Sequence, residues 1–457
     1  MIHPAKNIYK GLIVLTFIAM CTVWQSCESF TEIDPPRNKI VKQDAFADET
    51  SANAAVLGIY LQLSSVGFGQ GQTTVILGQS SDEIYKNFDD SSSTQLHTND
   101  LVANNGNIKD LWTSIYAVIG QSNAVLEGLE NNTNIPEVKR QQFVSEAKFV
   151  RAYCYLYLTQ LWGDVPLITT TDWSLNSKAK RTAQAEITAL IIQDLKQAAE
   201  FLPETVTNNI RAKKTVALGL LSRVYLYEKN WSEAQRYAEM TIAGTVGASA
   251  ILPDASEVFY PESAETIFQI VPQKFYSSSF ESTLMHLFGP DHLLEANLVS
   301  DFEDGDLRKT AWVGETDGNY FAAKYTTNPY ETSGRPQYNV LLRAAEQFLI
   351  AAEAQAQQSN ITGAVENINV IRRRAGLIEI DAQGLSQSEC LSLIEKERRT
   401  ELFAEWGHRW LDLKRTGRAA EVLGGITGKN WKAEDALYPI PTTEIRLNPN
   451  LTQNKDY

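Results

Sequence analysis

Between Arg211 and Ala243 the chain carries small and apolar residues in two blocks of helical spacing, divided by a polar turn. The first block holds Ala217, Gly219, Leu220, Tyr225 and Leu226; the turn reads KNWSEA; the second block holds Ala234, Tyr237, Ala238 and Ile242. Apolar residues at three- and four-residue steps belong to a helix, because a half-buried strand would alternate them in twos. Ala and Gly at the crossing positions let two helix axes approach closely, so the blocks read as one packed pair. Such a pair cannot bury its apolar face alone and needs neighbours stacked on it. This commits a large part of the chain to a helical frame that supports chemistry without performing it.

The unit over 211–243 has the form of a tetratricopeptide unit. Two further pairs follow the same logic more loosely, 108–130 with 136–163 and 341–358 with 362–374. A first helix is expected over 44–63, spaced through Phe46, Ala52, Ala55, Val56, Ile59 and Tyr60. The fold class is therefore mainly α, a tetratricopeptide-like helical-pair scaffold with irregular insertions carrying short strands. One insertion, about 67–107, is rich in Gly, Ser, Thr, Asn and Asp, with a strand-like run TTVILGQ and the aromatic, acidic patch DEIYKNFDD. The other, about 251–339, has strand-like ETIFQIV and YFAAKYT and aromatics expected to be exposed: Tyr276, Trp312, Tyr320, Tyr325 and Tyr330. Loops mounted on a rigid frame are where binding residues sit.

The N-terminus has an address of its own. Lys6 and Lys10 precede the apolar run GLIVLTFIAMCTV, which is too short to span a bilayer comfortably. Ser26 then precedes Cys27 and the chain turns polar, as a lipoprotein precursor does. Residues 1–26 are read as a removed signal peptide, 27–43 as a tether lipidated at Cys27, and 44–457 as one domain. Several acyl chains on one cysteine, at ~0.8 kcal/mol per buried methylene, hold a protein firmly to a membrane. Loss of the two lysines takes the formal charge from −14 to −16. That acidity argues against nucleic acid or anionic lipid as a ligand, since both need a basic footprint. Cys154 and Cys390 lie on apolar helical faces and read as core residues, not as a disulfide or metal site.

The sequence carries few signs of catalytic chemistry. The histidines beyond the signal segment, His97, His286, His292 and His408, form no HExxH, and GxSxG, GxGxxG and P-loop motifs are absent. GQGQTT at 69–74 lacks the P-loop lysine and reads as a flexible loop. DFEDGD at 301–306 offers hard oxygens, but its spacing is not that of a calcium loop, so a surface turn ending a helix is expected. Asp89 and Asp90 are adjacent acids, whereas a glycosidase draws its two carboxylates from separate parts of the fold. No enzyme activity, cofactor or metal is expected.

Several blocks, in order, resemble the SusD/RagB family of outer-membrane nutrient-binding lipoproteins. They are Cys27 with the DPP that follows, DAFADETSANAAVLGIY at 44–60, LWTSIYAVIGQSNAVLE at 111–127 and EAKFVRAYCYLYLTQLWGDVPLI at 146–168. LLRAAEQFLIAAEA at 341–354, INVIRRRAGL at 368–377, ERRTELFAEWGHRWLDLKRTG at 397–417 and LYPIPTTEIRLNPNLTQNKDY at 437–457 complete the set. The resemblance implies a cell-surface, outer-membrane protein that captures oligomers, glycans most often and peptides in some members, and hands them to a TonB-dependent SusC-like transporter. Within 397–417, Arg398, Glu401, Glu405 and Arg409 fall at helical steps, so opposite charges are expected to meet along one face, with Phe403, Trp406, Trp410 and Leu411 on the buried side. A buried ion-pair network is the expected role of these charges. The last block reads as a Pro-punctuated strap across the helices.

A sugar ring offers an apolar face and a rim of hydroxyls, so its site needs aromatic platforms edged by polar side chains. The first insertion supplies Asp82, Glu83, Tyr85, Asn87, Phe88 and Asp89; the second supplies Trp312, Tyr320, Tyr325, Tyr330, Arg335 and Tyr338. Tyr85, Trp312 and Tyr330 are the first candidates. The competing possibility is a structural or assembly protein that holds a partner chain in tetratricopeptide-like grooves. Aromatics around one shallow pocket favour the oligomer; aromatics along a helical groove favour the partner chain.

Overall fold

The computed structural model describes residues 44–65, 67–251, 253–272, 278–279, 281–285 and 291–457. Cys27, the signal segment, the tether, Tyr276 and His286 lie outside the described residues. The chain separates into units Met1–Ala45 and Phe46–Tyr457, and the helical frame with its insertions belongs to the second.

Helices appear where the apolar spacing places them: α1 (Glu49–Leu63), α2 (Gln72–Ser80), α3 (Ser91–Thr98), α4 (Gly106–Leu129), α5 (Glu137–Trp162), α6 (Gln184–Phe201), α7 (Lys214–Tyr227) and α8 (Trp231–Ala243). After the second insertion, which contains α9 (Leu307–Trp312), come α10 (Ala344–Gln357), α11 (Ile361–Arg374), α12 (Gln387–Leu402) and α13 (His408–Arg415). The helices stack in series, α1 on α4, then α4 through α8 each on the next, α8 on α10, and α10 on both α11 and α12. In the α7/α8 pair Ala217, Ala234 and Ala238 are fully buried, and Tyr225 stacks on Tyr237 with ring centres 5.5 Å apart. Gly219 of α7 faces both neighbours: a Cβ there would stand 3.4 Å from Thr241 Cγ2 of α8 and 3.5 Å from Gln347 Nε2 of α10, ordinary contact distances that leave room for no more than a methyl group. α1 begins later than its spacing implies because Asp48 caps it, accepting from the Ser51 backbone N–H at 2.8 Å. Among the described residues no helix is long and apolar enough to cross a membrane.

Short antiparallel pairs fasten the insertions. β2 (Thr266–Ile270) pairs with β6 (Asn339–Arg343) and so ties the second insertion's two flanks together. The helix expected over 341–358 therefore starts only at Ala344. β1 (Ile84–Lys86) pairs with β3 (His292–Leu294), Tyr85 opposite Leu293, which joins two insertions more than 200 residues apart in sequence. β4 (Val313–Thr316) and β5 (Asn319–Ala322) form a hairpin through Asp317 and Gly318, both at positive φ as its tight turn demands.

Three expectations need correction. TTVILGQ is not a strand: it lies in α2, buried on every side from Thr73 to Ser80. A short apolar run without periodicity fits a buried helix as well as a buried strand, and here tertiary packing chose the helix. GQGQTT is correspondingly no flexible loop; it is the buried entry to that helix, with Gln70 and Gly71 at positive φ. The segment 397–417 is not one helix either. The chain breaks after Leu402, with Ala404, Trp406 and Gly407 at positive φ, before α13 starts. Across that break the ideal helical steps no longer align.

The charges of 397–417 are buried as expected; Arg398 pairs within the segment, across the break, while the partners of Glu401, Glu405 and Arg409 are remote in sequence. Glu401 accepts from Arg308, Arg343 and Arg374; Glu405 accepts from Arg343 and Lys324; Arg398 holds Asp412 at 2.7 Å; Arg409 holds Asp82 at 2.7 Å. Arg343 also reaches Glu265 at 2.6 Å. The network thus links β6, α9, α11, α12 and the residue that precedes β2 across the frame. Burial alone would raise the Glu401 carboxyl, but three guanidinium groups outweigh it and hold the carboxyl far below the usual carboxylate range. Beside it, Phe68, Tyr153, Tyr157 and Trp406 form an aromatic knot. The strap behaves as its prolines suggest: Trp162 donates to Pro439 O at 3.0 Å and the Tyr438 N–H to Leu161 O at 2.7 Å.

Candidate functional site

The site grows out of β1 and the turn that leads into α3. Pairing with β3 fixes β1, and the Asn87 N–H extends the ladder by donating to Asp291 O at 2.9 Å. Ile84 points into the core, and the two-residue period of a strand turns Tyr85 toward the other face, where it is half-buried. Asp90 ends the turn by capping α3, accepting from the Ser93 N–H at 2.9 Å. The Ser93 hydroxyl first, and then that bond and Lys86 Nζ 3.5 Å away, hold the Asp90 carboxyl low. Between strand and helix Asn87, Phe88 and Asp89 are left exposed.

Together they border a depression of about 290 Å³ lined by Tyr85, Asn87, Phe88, Asp89, Ser93, Thr94 and His97. Phe88 is 52% exposed, and the Lys86 ammonium stands 4.1 Å from its ring centre, which steadies the ring from one side. Tyr85 lies tilted over His97, ring centres 6.2 Å apart. Burial, with Lys429 nearby, pushes the His97 imidazole down to about 4, so it is neutral at pH 7 and donates from only one nitrogen. Its Nδ1 faces Glu295 Oε1 at 3.6 Å. Burial raises the carboxyl of Glu295, and burial with that carboxylate raises the Tyr85 phenol. Two aromatic rings edged by an amide, a carboxylate and two hydroxyls can take a flat polar molecule with an apolar face.

Four of the sequence-derived candidates, Tyr85, Asn87, Phe88 and Asp89, therefore converge. The lining residues all come from 85–97, so the candidates of the second insertion stand elsewhere. Trp312, expected to be exposed, is instead 1% exposed, its Nε1 donating to Ala255 O at 2.9 Å, with Lys324 4.6 Å from its ring centre. Tyr325 is also core: its hydroxyl accepts from the Val340 N–H at 2.9 Å. Both pack with Phe259 because the second insertion has an apolar centre of its own, joined by Val75 and Ile84 from the first. Asp82 and Glu83 are buried as well, Asp82 under Arg409 and Arg399. Tyr320 and Tyr338 are half-buried and Tyr330 is exposed. Arg335 is exposed, spans Glu257 and Glu262, and lies 3.7 Å from the Tyr260 ring centre.

Sequence reasoning missed Ser93, Thr94 and His97. An Asp followed by a polar run is a helix start, but within a stretch so rich in Gly, Ser and Asn that signal is hard to tell from loop. Among the described residues no cluster of His, Cys, Asp and Glu is fit to hold a metal. In DFEDGD, Asp306 caps α9 and grips Arg308 at 2.7 Å, while Asp301 pairs with Arg399 at 2.6 Å.

The family model described as starch-binding associating with outer membrane matches residues 44–226, and the SusD family model matches 305–457. The SusD-like protein P25 of Formosa agariphila is 24% identical, covering 97% of this chain and 98% of the relative. A SusD superfamily protein from Bacteroides vulgatus superposes with a TM-score of 0.78 at 21% identity, over 90% of this chain and 100% of that one. A laminarin-binding SusD-like protein superposes with a TM-score of 0.75 at 22% identity, again over 90% and 100%. Two family models in chain order, a relative matched from end to end and a shared tetratricopeptide-like helical fold agree: the chain belongs to the SusD/RagB family.

Proposed function

We propose that this protein is a cell-surface lipoprotein that captures oligosaccharides in the depression at Tyr85, Asn87, Phe88 and Asp89 and passes them to a SusC-like TonB-dependent outer-membrane transporter. The observation that carries this is the pairing of an exposed aromatic face, Phe88, with amide, carboxylate and hydroxyl groups around one shallow basin. The SusD-like neighbour that binds laminarin supports the choice of a glycan. Capture without cleavage is supported by the lining: among the described residues that line the depression Asp89 is the one acid, whereas glycoside hydrolysis needs an opposed pair. In the same proposal residues 1–26 are the signal peptide, Cys27 the lipid anchor on the cell surface and 27–43 its tether, with 44–457 as the binding body.

The test is calorimetry of the protein with laminarin, starch-derived oligosaccharides and a peptide library. Binding of a glycan that Phe88→Ala weakens about five- to tenfold, the share of one aromatic platform, supports the proposal. Glycan binding unaffected by Phe88→Ala and Tyr85→Ala removes the depression from it, and binding of peptides alone replaces the cargo.

A further inference from the structure

A second and larger basin lies on the helical frame, away from β1 and α3. It measures about 620 Å³ and is bounded by the α7–α8 turn and by α10, α12 and α13. The turn is the KNWSEA segment of the tetratricopeptide-like unit. Lys229 adopts a positive φ of 56°, and Asn230 caps α8 by accepting from the Glu233 N–H, so the next residue, Trp231, is held in place. Its partly exposed indole forms one wall, with Leu391 and Ile394 as apolar neighbours.

The buried polar part of the wall is composed of charge pairs, with the exposed Lys229 and the hydroxyls of Ser388 and Ser392 at its edge. Arg415 is shared between Glu353 at 2.5 Å and Asp412 at 2.7 Å, and Arg398 adds a further bond to Asp412 at 2.7 Å. All four side chains are at least nine-tenths buried. An ionic ligand would have to compete with a partner already in place at every one of them. A neutral, hydroxyl-rich ligand would not, since a carboxylate with spare lone pairs and a guanidinium edge serve adjacent hydroxyls. A volume of about 620 Å³ lies in the range of small-ligand sites.

We infer that the basin at Trp231 is a second saccharide site, in which the indole takes the apolar face of a sugar ring and the Glu353, Asp412 and Arg398 groups take its hydroxyls. It would let one protein engage a glycan chain at two places, and linked sites raise avidity without new contacts. The inference takes its ligand class from the glycan proposal above but not its location, so the two stand or fall separately.

The protein, labelled with 5-fluorotryptophan, is titrated with maltohexaose, laminarihexaose and cellohexaose while fluorine NMR follows the Trp231 resonance, assigned with Trp231→Phe. A saturable shift of that resonance with at least one hexasaccharide, retained in Phe88→Ala and weakened about tenfold in Glu353→Gln, is the expected result. No shift with any of the three overturns the inference, whether or not the Phe88 depression binds. A shift lost in Phe88→Ala overturns it too, since the change would then be relayed from the first site. Movement only on adding the partner transporter assigns the basin to a protein contact and refutes the saccharide.

Discussion

Glu83 sits beside Asp82 at the start of β1, and the two acids meet opposite fates. Asp82 takes both nearby cations, Arg409 at 2.7 Å and Arg399 at 2.8 Å, and stays low despite burial. Among the described residues Glu83 is left with one long bond from the Ala404 N–H at 3.4 Å, and its Oε1 has no hydrogen-bond partner. Burial first, and then the Asp82 charge, push it up to about 8 from 4.5. The folded state therefore keeps a proton that the unfolded chain loses above pH 4.5, so this group makes stability fall as pH rises from 4.5 toward 8. At 1.36 kcal/mol per pH unit the cost reaches about 3 kcal/mol at pH 7. Glu83→Gln keeps the shape and cannot ionise. It should match the wild type within ~1 kcal/mol at about pH 4.5 and exceed it by about 2–4 kcal/mol at about pH 7.5, a rise of a few degrees in Tm for a chain this long. Scanning calorimetry across that range reads the difference. A difference that is constant with pH, or that reverses so that glutamine is worse at high pH, refutes the argument, since Glu83 would then be ionised and paired.

The remaining expectations concern the network, the aromatics and the anchor. Glu401→Gln removes the anion shared by Arg308, Arg343 and Arg374 and should destabilise by about 3–5 kcal/mol in urea unfolding; a loss under ~1 kcal/mol would mean the three arginines find other partners. Trp312→Ala should cost about 3–5 kcal/mol through the cavity it leaves, while Phe88→Ala stays within ~0.5 kcal/mol; the same unfolding assay would expose a reversed order. Labelled palmitate should enter the wild type and not Cys27→Ser, and incorporation into both would exclude Cys27 as the anchor.

How far the sequence could be read depended on where the information for each feature lies. The pairs α4/α5 and α7/α8 were legible because their small and apolar residues repeat at helical steps within one segment, and Ala217, Ala234 and Ala238 sit where that pattern points. Cys154 and Cys390 belong to the core by the same reasoning, and both are buried. Tyr85, Asn87, Phe88 and Asp89 were legible as a patch because one exposed turn carries three of them within a few residues. Trp312 and Tyr325 were not, because an aromatic in a Gly- and Pro-rich stretch looks like a loop residue until its partners are known. Phe259, Phe403 and Val340, which enclose them, come from three separate parts of the chain.

Local order along the chain was enough to set the helical frame, the family-like succession of its blocks and the turn that bears the candidate binding residues. Each of these rests on periodicity or on contiguous residues. Packing in three dimensions settled that TTVILGQ is a helix, that the 397–417 segment breaks at Ala404 to Gly407, and that Glu401 answers to arginines from three different elements. It also brought two insertions remote in sequence together through β1 and β3. One cause underlies all four. A buried charge or a fully buried apolar run is satisfied by whatever the fold brings beside it, and spacing along the chain carries no record of that neighbour.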